Sequence, residues 1–250
     1  MLLEGKNAVI YGGGGAIGGA VARAFARDGA TVHLAGRTLA SLEVVADEIR
    51  SAGGVAHTAR VDALDEAAVD EHADATAASA GSIDISFNLI SYGDVQGTPL
   101  AEMSLEDFRR PVINAVETMF LTSRAAARHM IRQRSGVILA FGGAGDPLRD
   151  YYIGGFQVAL HAIDAMRRQL AAELGPHGIR VVTLLTGGVP ETLIEFAGSD
   201  AIISEIEDQT MLKRAATLDD VGNVAVFAAS DLARTITGSA INISCGAIVD

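Results

Sequence analysis

A chain of 250 residues that is 49% hydrophobic, with 28 glycines and 5 prolines, can bury one sizeable core and does not have the composition of a disordered protein. Its net charge of -12 argues against nucleic acid and anionic membrane surfaces, which are bound through clustered Lys and Arg. Cys245 is the single cysteine, so no internal disulfide can form, thiolate metal sites are disfavoured, and a reducing cytoplasm is the expected location. The opening Met1-Leu2-Leu3-Glu4-Gly5-Lys6 carries an acid and runs straight into an apolar segment, unlike a signal peptide. No apolar stretch reaches the roughly 18 residues that span a bilayer.

Short apolar runs then alternate with amphipathic segments. Ala8–Tyr11 reads as a strand, Ile17–Asp28 as a helix, Thr31–Ala35 as a strand and Leu39–Ala52 as a helix. The strands Val55–Val61 and Ile83–Leu89 flank a helix at Glu66–Ser79. Ser104–Gln133 (helix), Gly136–Phe141 (strand), Phe156–Leu174 (helix) and Arg180–Leu185 (strand) continue the alternation. A late helix, Leu218–Ala229, precedes a final strand near Ser239–Ser244. Strict alternation without repeat or linker predicts a single α/β domain over residues 1–250. Its architecture is a Rossmann-like, doubly wound parallel sheet of about seven strands, with helices on both faces and ligands at the strands' carboxyl ends.

Between the first strand and first helix lies Tyr11-Gly12-Gly13-Gly14-Gly15-Ala16-Ile17-Gly18. Glycines here let backbone N–H groups approach a pyrophosphate, and the helix start adds positive potential. Gly13, Gly15 and Gly18 satisfy G-x-G-x-x-G, although glycines also serve tight turns. After the second strand comes Ala35-Gly36-Arg37-Thr38. An NAD site would present an acid there for the ribose 2′-hydroxyl, whereas Arg37 can pair with a 2′-phosphate. That favours NADP(H); the competing reading is a solvated Arg heading a helix.

With Leu170-Ala171-Ala172-Glu173-Leu174 and Gly178-Ile179-Arg180-Val181 following the Phe156 helix, the chain resembles the short-chain dehydrogenase/reductase family over essentially its whole length. The family's T-G-x-x-x-G-x-G fits Gly12 and Gly18, with Tyr11 for Thr and Ala16 for the middle Gly. The resemblance assigns Gly12, Gly13, Gly14, Gly15, Ile17 and Gly18 to the cofactor loop and Asp62 to an adenine contact. Asn88 matches the first Asn of Asn-Asn-Ala-Gly, followed here by Leu89-Ile90-Ser91. Thr186-Gly187-Gly188-Val189-Pro190-Glu191-Thr192 resembles the Pro-Gly-x-x-x-Thr turn, which would bring Gly187 and Val189 to the nicotinamide.

The family's chemistry rests on Asn, Ser, Tyr and Lys. Asn114 matches the Asn that holds a proton-relay water. Gly143 stands in the Ser slot, beside Gly142, while Phe156 and Leu160 stand in the Tyr and Lys slots. Lys6 and Lys213 are the two lysines of the chain, so no shift of register restores a Tyr-x-x-x-Lys pair. Losing positioned acid–base catalysis costs roughly 10²–10⁴-fold, about 3–5 kcal/mol. Holding hydride donor and acceptor together supplies about 7–11 kcal/mol independently, so the transfer is slowed rather than abolished.

A relocated acid is sought in Tyr152, one turn before Phe156, and otherwise in Tyr151 or Tyr92. His161 neighbours the Lys slot but is rotated about 100° from it on a helix. Asp146, Arg149 and Asp150 form a polar loop near the mouth. Residues 187–217 are the expected substrate lid. Its Leu193, Ile194, Phe196, Ile202, Ile203, Ile206, Met211 and Leu212 suggest a hydrophobic substrate, or simply a helix pair packed on the core, with Glu205, Glu207 and Asp208 on an exposed face. Family members pair through the helices here at Ser104–Gln133 and Phe156–Leu174, so a homodimer or homotetramer is expected, with Ala125-Ala126-Ala127 permitting close packing.

The resulting expectation is an atypical NADP(H)-dependent oxidoreductase acting on a mostly apolar small molecule. Its proton would come from water near Asn114 or from Tyr152. Two alternatives stand beside it: a non-redox isomerase, dehydratase or cyclase, and a catalytically silent NADP-binding protein.

Overall fold

A computed structural model describes residues 1–142, 152–193 and 199–249. The first half runs β1 (Asn7–Tyr11), α1 (Ala16–Arg27), β2 (Thr31–Gly36), α2 (Leu39–Ser51), β3 (Val55–Arg60), α3 (Glu66–Ala80) and β4 (Ile85–Asn88). The second runs α4 (Leu105–Gln133), β5 (Gly136–Gly142), α5 (Gly155–Leu174), β6 (Ile179–Leu185), α6 (Ser199–Asp208), α7 (Leu218–Ala229) and β7 (Ala240–Asn242). The strands form one parallel sheet in the order β3-β2-β1-β4-β5-β6-β7. The boundaries agree with the sequence reading to within one residue, except that β4 starts at Ile85 rather than Ile83 and β7, a short edge strand paired with β6, ends at Asn242 rather than near Ser244.

The central strands are apolar throughout because both faces are covered. In β1, Ala8 and Ile10 face α1, α2 and α7, while Val9 and Tyr11 face α3, α4 and α5. Strand order reverses between β1 and β4, where the crossovers diverge to opposite faces and leave a crevice at the carboxyl ends. Tyr11 is in register with Ala35 on one side and Asn88 on the other, so three strand ends meet there.

Helix starts are not treated alike. Asp65 caps α3, Ser104 caps α4, and Thr217 with Asp220 forms a capping box on α7. No N-cap side chain bonds the starts of α1 at Gly15, α2 at Thr38 or α5 at Gly154, though in α5 the Phe156 N–H donates to the Ile153 carbonyl at 3.0 Å. The alanines expected to lie between copies are already used within the chain: Ala125, Ala126 and Ala127 are all buried in the single subunit.

Candidate active site

The glycine loop fits against the chain that follows β4. Gly12 has φ +81°, and a Cβ there would stand 2.4 Å from the Leu89 carbonyl oxygen. A Cβ on Gly18 would stand 2.1 Å from the Gly12 carbonyl oxygen, so the first turn of α1 can close on the loop only without one. Gly13 and Gly14 are close-packed glycines. Their missing side chains make room for Leu34 and Ser41, packing β1 and α1 against β2 and α2. Gly15 is exposed, and a Cβ on it would meet only the Gly12 oxygen, at 3.4 Å. Above Gly15, Ala16 and the half-buried Ile17 lies open space at an uncapped helix start, the geometry that accepts a pyrophosphate.

At the neighbouring strand ends, Arg37 is exposed, and among the described residues no carboxylate pairs with it. The Val61 N–H donates to the Gly36 carbonyl (3.0 Å), holding the ends of β2 and β3 together. Asp62 is exposed and accepts from the Leu64 N–H at 3.1 Å.

Asn88 is buried, and its side chain is fully engaged. Its amide donates to the hydroxyls of Thr118 (3.1 Å) and Thr122 (3.4 Å), while its Oδ1 accepts from the Ile90 N–H at 3.1 Å. Each threonine hydroxyl donates to the carbonyl four residues back, Asn114 and Thr118 respectively, both at 2.7 Å. Asn114, Thr118 and Thr122 therefore form a polar stripe at four-residue spacing on α4. The two threonines were not anticipated; that spacing is the signal that could have found them.

The Asn114 side chain donates to the Tyr92 carbonyl at 2.9 Å. The Tyr92 ring lies 6.2 Å from that of Phe156, tilted at 47°, and its hydroxyl is 3.4 Å from the Phe141 carbonyl oxygen. Burial pushes this phenol up to about 12. One turn along α5, Leu160 is 6% exposed, and a Cβ on Gly142 would stand 3.1 Å from its Cδ2. Phe156, Leu160 and Tyr92 thus belong to one apolar cluster at the carboxyl end of β5. Neither lysine is near: Lys6 precedes β1 at the opposite end of the sheet, and Lys213 is exposed and donates to the Asp208 carbonyl at 2.7 Å.

Tyr152 corrects the sequence reading. It was placed one helical turn before Phe156, yet α5 begins only at Gly155, and Tyr152 and Gly154 both have positive φ, +46° and +52°. Helical spacing does not apply there. Tyr152 is 45% exposed, and its carbonyl accepts from the Gly97 N–H at 3.2 Å. His161 is exposed, as its rotation away from Leu160 requires.

After β6, Gly187 abuts Ala247, and Val189 turns its side chain into the core. Ile206 of α6 lies over Gly188, while Leu193, Met211 and Leu212 are exposed apolar side chains. Gly143, Asp146, Arg149, Asp150, Tyr151, Ile194 and Phe196 lie outside the described residues.

A family model described as enoyl-(acyl carrier protein) reductase matches residues 14–247, nearly the whole chain. The chain belongs to the short-chain dehydrogenase/reductase family. Among its relatives in that family, 2,5-dichloro-2,5-cyclohexadiene-1,4-diol dehydrogenase of Sphingobium indicum is 32% identical, covering 96% of this chain and 95% of its own. The 7alpha-hydroxysteroid dehydrogenase of Escherichia coli is 29% identical, covering 98% and 95%. A short-chain type dehydrogenase/reductase from Mycobacterium marinum superposes with TM-score 0.85 at 29% identity over 99% of this chain and 97% of its own. An NAD+-bound xylitol dehydrogenase shares the short-chain dehydrogenase/reductase fold at TM-score 0.88 and 23% identity, over 98% and 100%. Among the described residues no helix is long and apolar enough to cross a membrane, and no cluster of His, Cys, Asp or Glu could hold a metal ion.

Proposed function

We propose that this chain is an NADP(H)-dependent oxidoreductase acting on a mostly apolar small molecule, without the family's Tyr–Lys pair. The observation that carries the reading is the pairing of an exposed, uncapped start of α1 at Gly15 with Arg37, an exposed guanidinium that has no carboxylate partner among the described residues. The first supports a pyrophosphate; the second supports a 2′-phosphate and offers no acceptor to a free 2′-hydroxyl.

In this reading the N–H groups of Ala16, Ile17 and Gly18 hold the pyrophosphate, and Arg37 and Asp62 border the adenosine end. The backbone of Leu89–Ile90, tied down by Asn88, borders the ribose, and Gly187 and the backbone of Val189 lie beside the nicotinamide. A bound reduced nicotinamide supplies hydride. Phe156 and Leu160 occupy the Tyr and Lys slots and keep that corner dry. Water near Asn114, or Tyr152, supplies the proton. Such a site favours substrates that need little acid help, such as imines and conjugated enones, over plain ketones. Residues 187–217 act as the lid, and the exposed Leu193, Met211 and Leu212 support an apolar substrate. We place the protein in the cytoplasm as a homodimer or homotetramer.

The deciding experiment is calorimetric binding of NADPH and NADH to the wild type and to Arg37→Ala. Preference for NADPH in the wild type, lost in the variant by about tenfold or more, is the expected result. No binding of either nucleotide would end the oxidoreductase reading. Turnover without change in nicotinamide absorbance would replace it with a non-redox one.

A further inference from the structure

One titratable side chain in the crevice has no part in the reading above, on which the following rests. Tyr92 leaves the carboxyl end of β4 and turns inward, so that it is only 9% exposed. Its carbonyl is fixed to α4 by the Asn114 amide, while its ring lies against Phe156 and reaches the end of β5. The backbone is therefore pinned and the hydroxyl's position is set by packing. At that position the hydroxyl makes, among the described residues, one long bond, 3.4 Å to the Phe141 carbonyl, which leaves most of its donor strength unused. The side chains sharing its cluster, Phe156, Leu160 and Ile90, are apolar, and Gly142 contributes none. The neighbouring Asn114 amide is committed to the Tyr92 carbonyl itself. A phenol held dry, protonated and nearly unpaired beside an apolar wall is a preorganised donor toward developing negative charge.

We propose that the Tyr92 hydroxyl donates a hydrogen bond to the carbonyl oxygen of a conjugated, enone-type substrate, from the chain that follows β4 rather than from α5. Hydride passes from the reduced nicotinamide to the β-carbon of the substrate, and the carbon–carbon π pair shifts until the oxygen carries the charge of an enolate. The Tyr92 O–H stabilises that oxygen. The α-carbon then takes a proton from water, leaving a saturated carbonyl compound and the oxidised nucleotide. Because burial raises the phenol well above neutral pH, it serves as a hydrogen-bond donor and does not need to ionise.

The test uses 4-nitrophenolate, a stable oxyanion, as the probe, titrated into protein saturated with NADP+. The visible band of 4-nitrophenolate moves to shorter wavelength when its oxygen accepts a hydrogen bond, so the wild type alone gives one readout. Tyr92→Phe, which keeps the ring and its packing, gives the second. The expected result is a band shift in the wild type and probe binding weakened about tenfold or more in Tyr92→Phe, with NADP+ affinity unchanged. Equal probe binding in Tyr92→Phe, loss in Tyr152→Phe instead, or no probe binding to the NADP+-loaded wild type overturns the assignment and leaves the dinucleotide reading intact. Failure of the wild type to bind NADP+ at all removes that reading and this assignment together.

Discussion

Acidification from pH 7 to pH 5 should destabilise this protein through two histidines that lie away from the crevice mouth. His33 on β2 is buried, in register with His57 on β3, their rings stacked 5.0 Å apart at 20°. His72 on α3 is half-buried and meets the Tyr11 ring edge-on at 5.7 Å, with Nδ1 3.5 Å from the Tyr11 hydroxyl. Burial, with the nearby His57 and His72, lowers His33 to about 4 from its usual 6.5. Burial alone lowers His72 to about 4. The folded state therefore keeps both rings neutral while the unfolded chain binds protons below pH 6.5. Stability is at its full value above 6.5 and falls as the pH drops toward 4, the opposite of what a histidine paired with a carboxylate would give.

For His33 the gap is worth about 2 kcal/mol at pH 5 and about 3 kcal/mol at pH 4. His72, partly reached by water, contributes less. In a chain of this size 2 kcal/mol lowers Tm by about 4–8 °C. Calorimetric melting at pH 7 and pH 5 should show a fall of this size in the wild type and a smaller one in His33→Leu, whose apolar side chain cannot charge. Stopping at pH 5 keeps clear of Asp220, whose carboxyl is held below its ordinary range by the Thr217 N–H and Arg214. Equal losses in wild type and variant would show that protonation of His33 is not what the fold resists.

Gly18→Ala forces a Cβ to within 2.1 Å of the Gly12 oxygen, backbone against backbone, so the loop must open. NADPH affinity should fall at least about tenfold with a loss of about 2 kcal/mol or more in stability, and unchanged affinity by calorimetry would remove the loop from the site. Leu160→Lys places an ammonium in the apolar corner against Gly142 and should cost about 2–5 kcal/mol in urea unfolding at pH 7; a variant as stable as the wild type would show the corner to be wet. Asn88→Ala removes the partner of the half-buried Ile90 N–H and of the buried Thr118 and Thr122 hydroxyls and should cost about 1–3 kcal/mol, with weaker NADPH binding because the loop over the crevice loosens. Loss of stability without loss of affinity would detach that loop from the cofactor.

The parts of this molecule that were legible from sequence are those set by neighbours a few residues away. The start of α7 agrees with the reading because Thr217 and Asp220 form a local capping box. The central strands announced themselves as apolar runs because both faces are covered. The glycine loop shows where local reasoning stops. Its position after β1 was plain, but nothing within ten residues of Gly14 reveals that Ser41 packs on it, or that Leu89 packs on Gly12. Only the fold separates glycines that admit a ligand from those that admit another strand or helix.

The tyrosines make the same point for chemistry. Counting back one turn from Phe156 selects Tyr152, and the count is sound only if the helix extends that far. Two departures into positive φ, at Tyr152 and Gly154, end it first, and Tyr152 is exposed. Tyr92 stands 64 residues before Phe156 in the numbering yet meets its ring, because β4 and β5 are adjacent strands and the chain leaving β4 must cross the end of β5 to reach α4. The topology was predictable, but the inward turn at Tyr92 was not. That turn depends on the Asn114 amide gripping the Tyr92 carbonyl, so the residue that resembles the family's water-holding Asn here also positions a phenol.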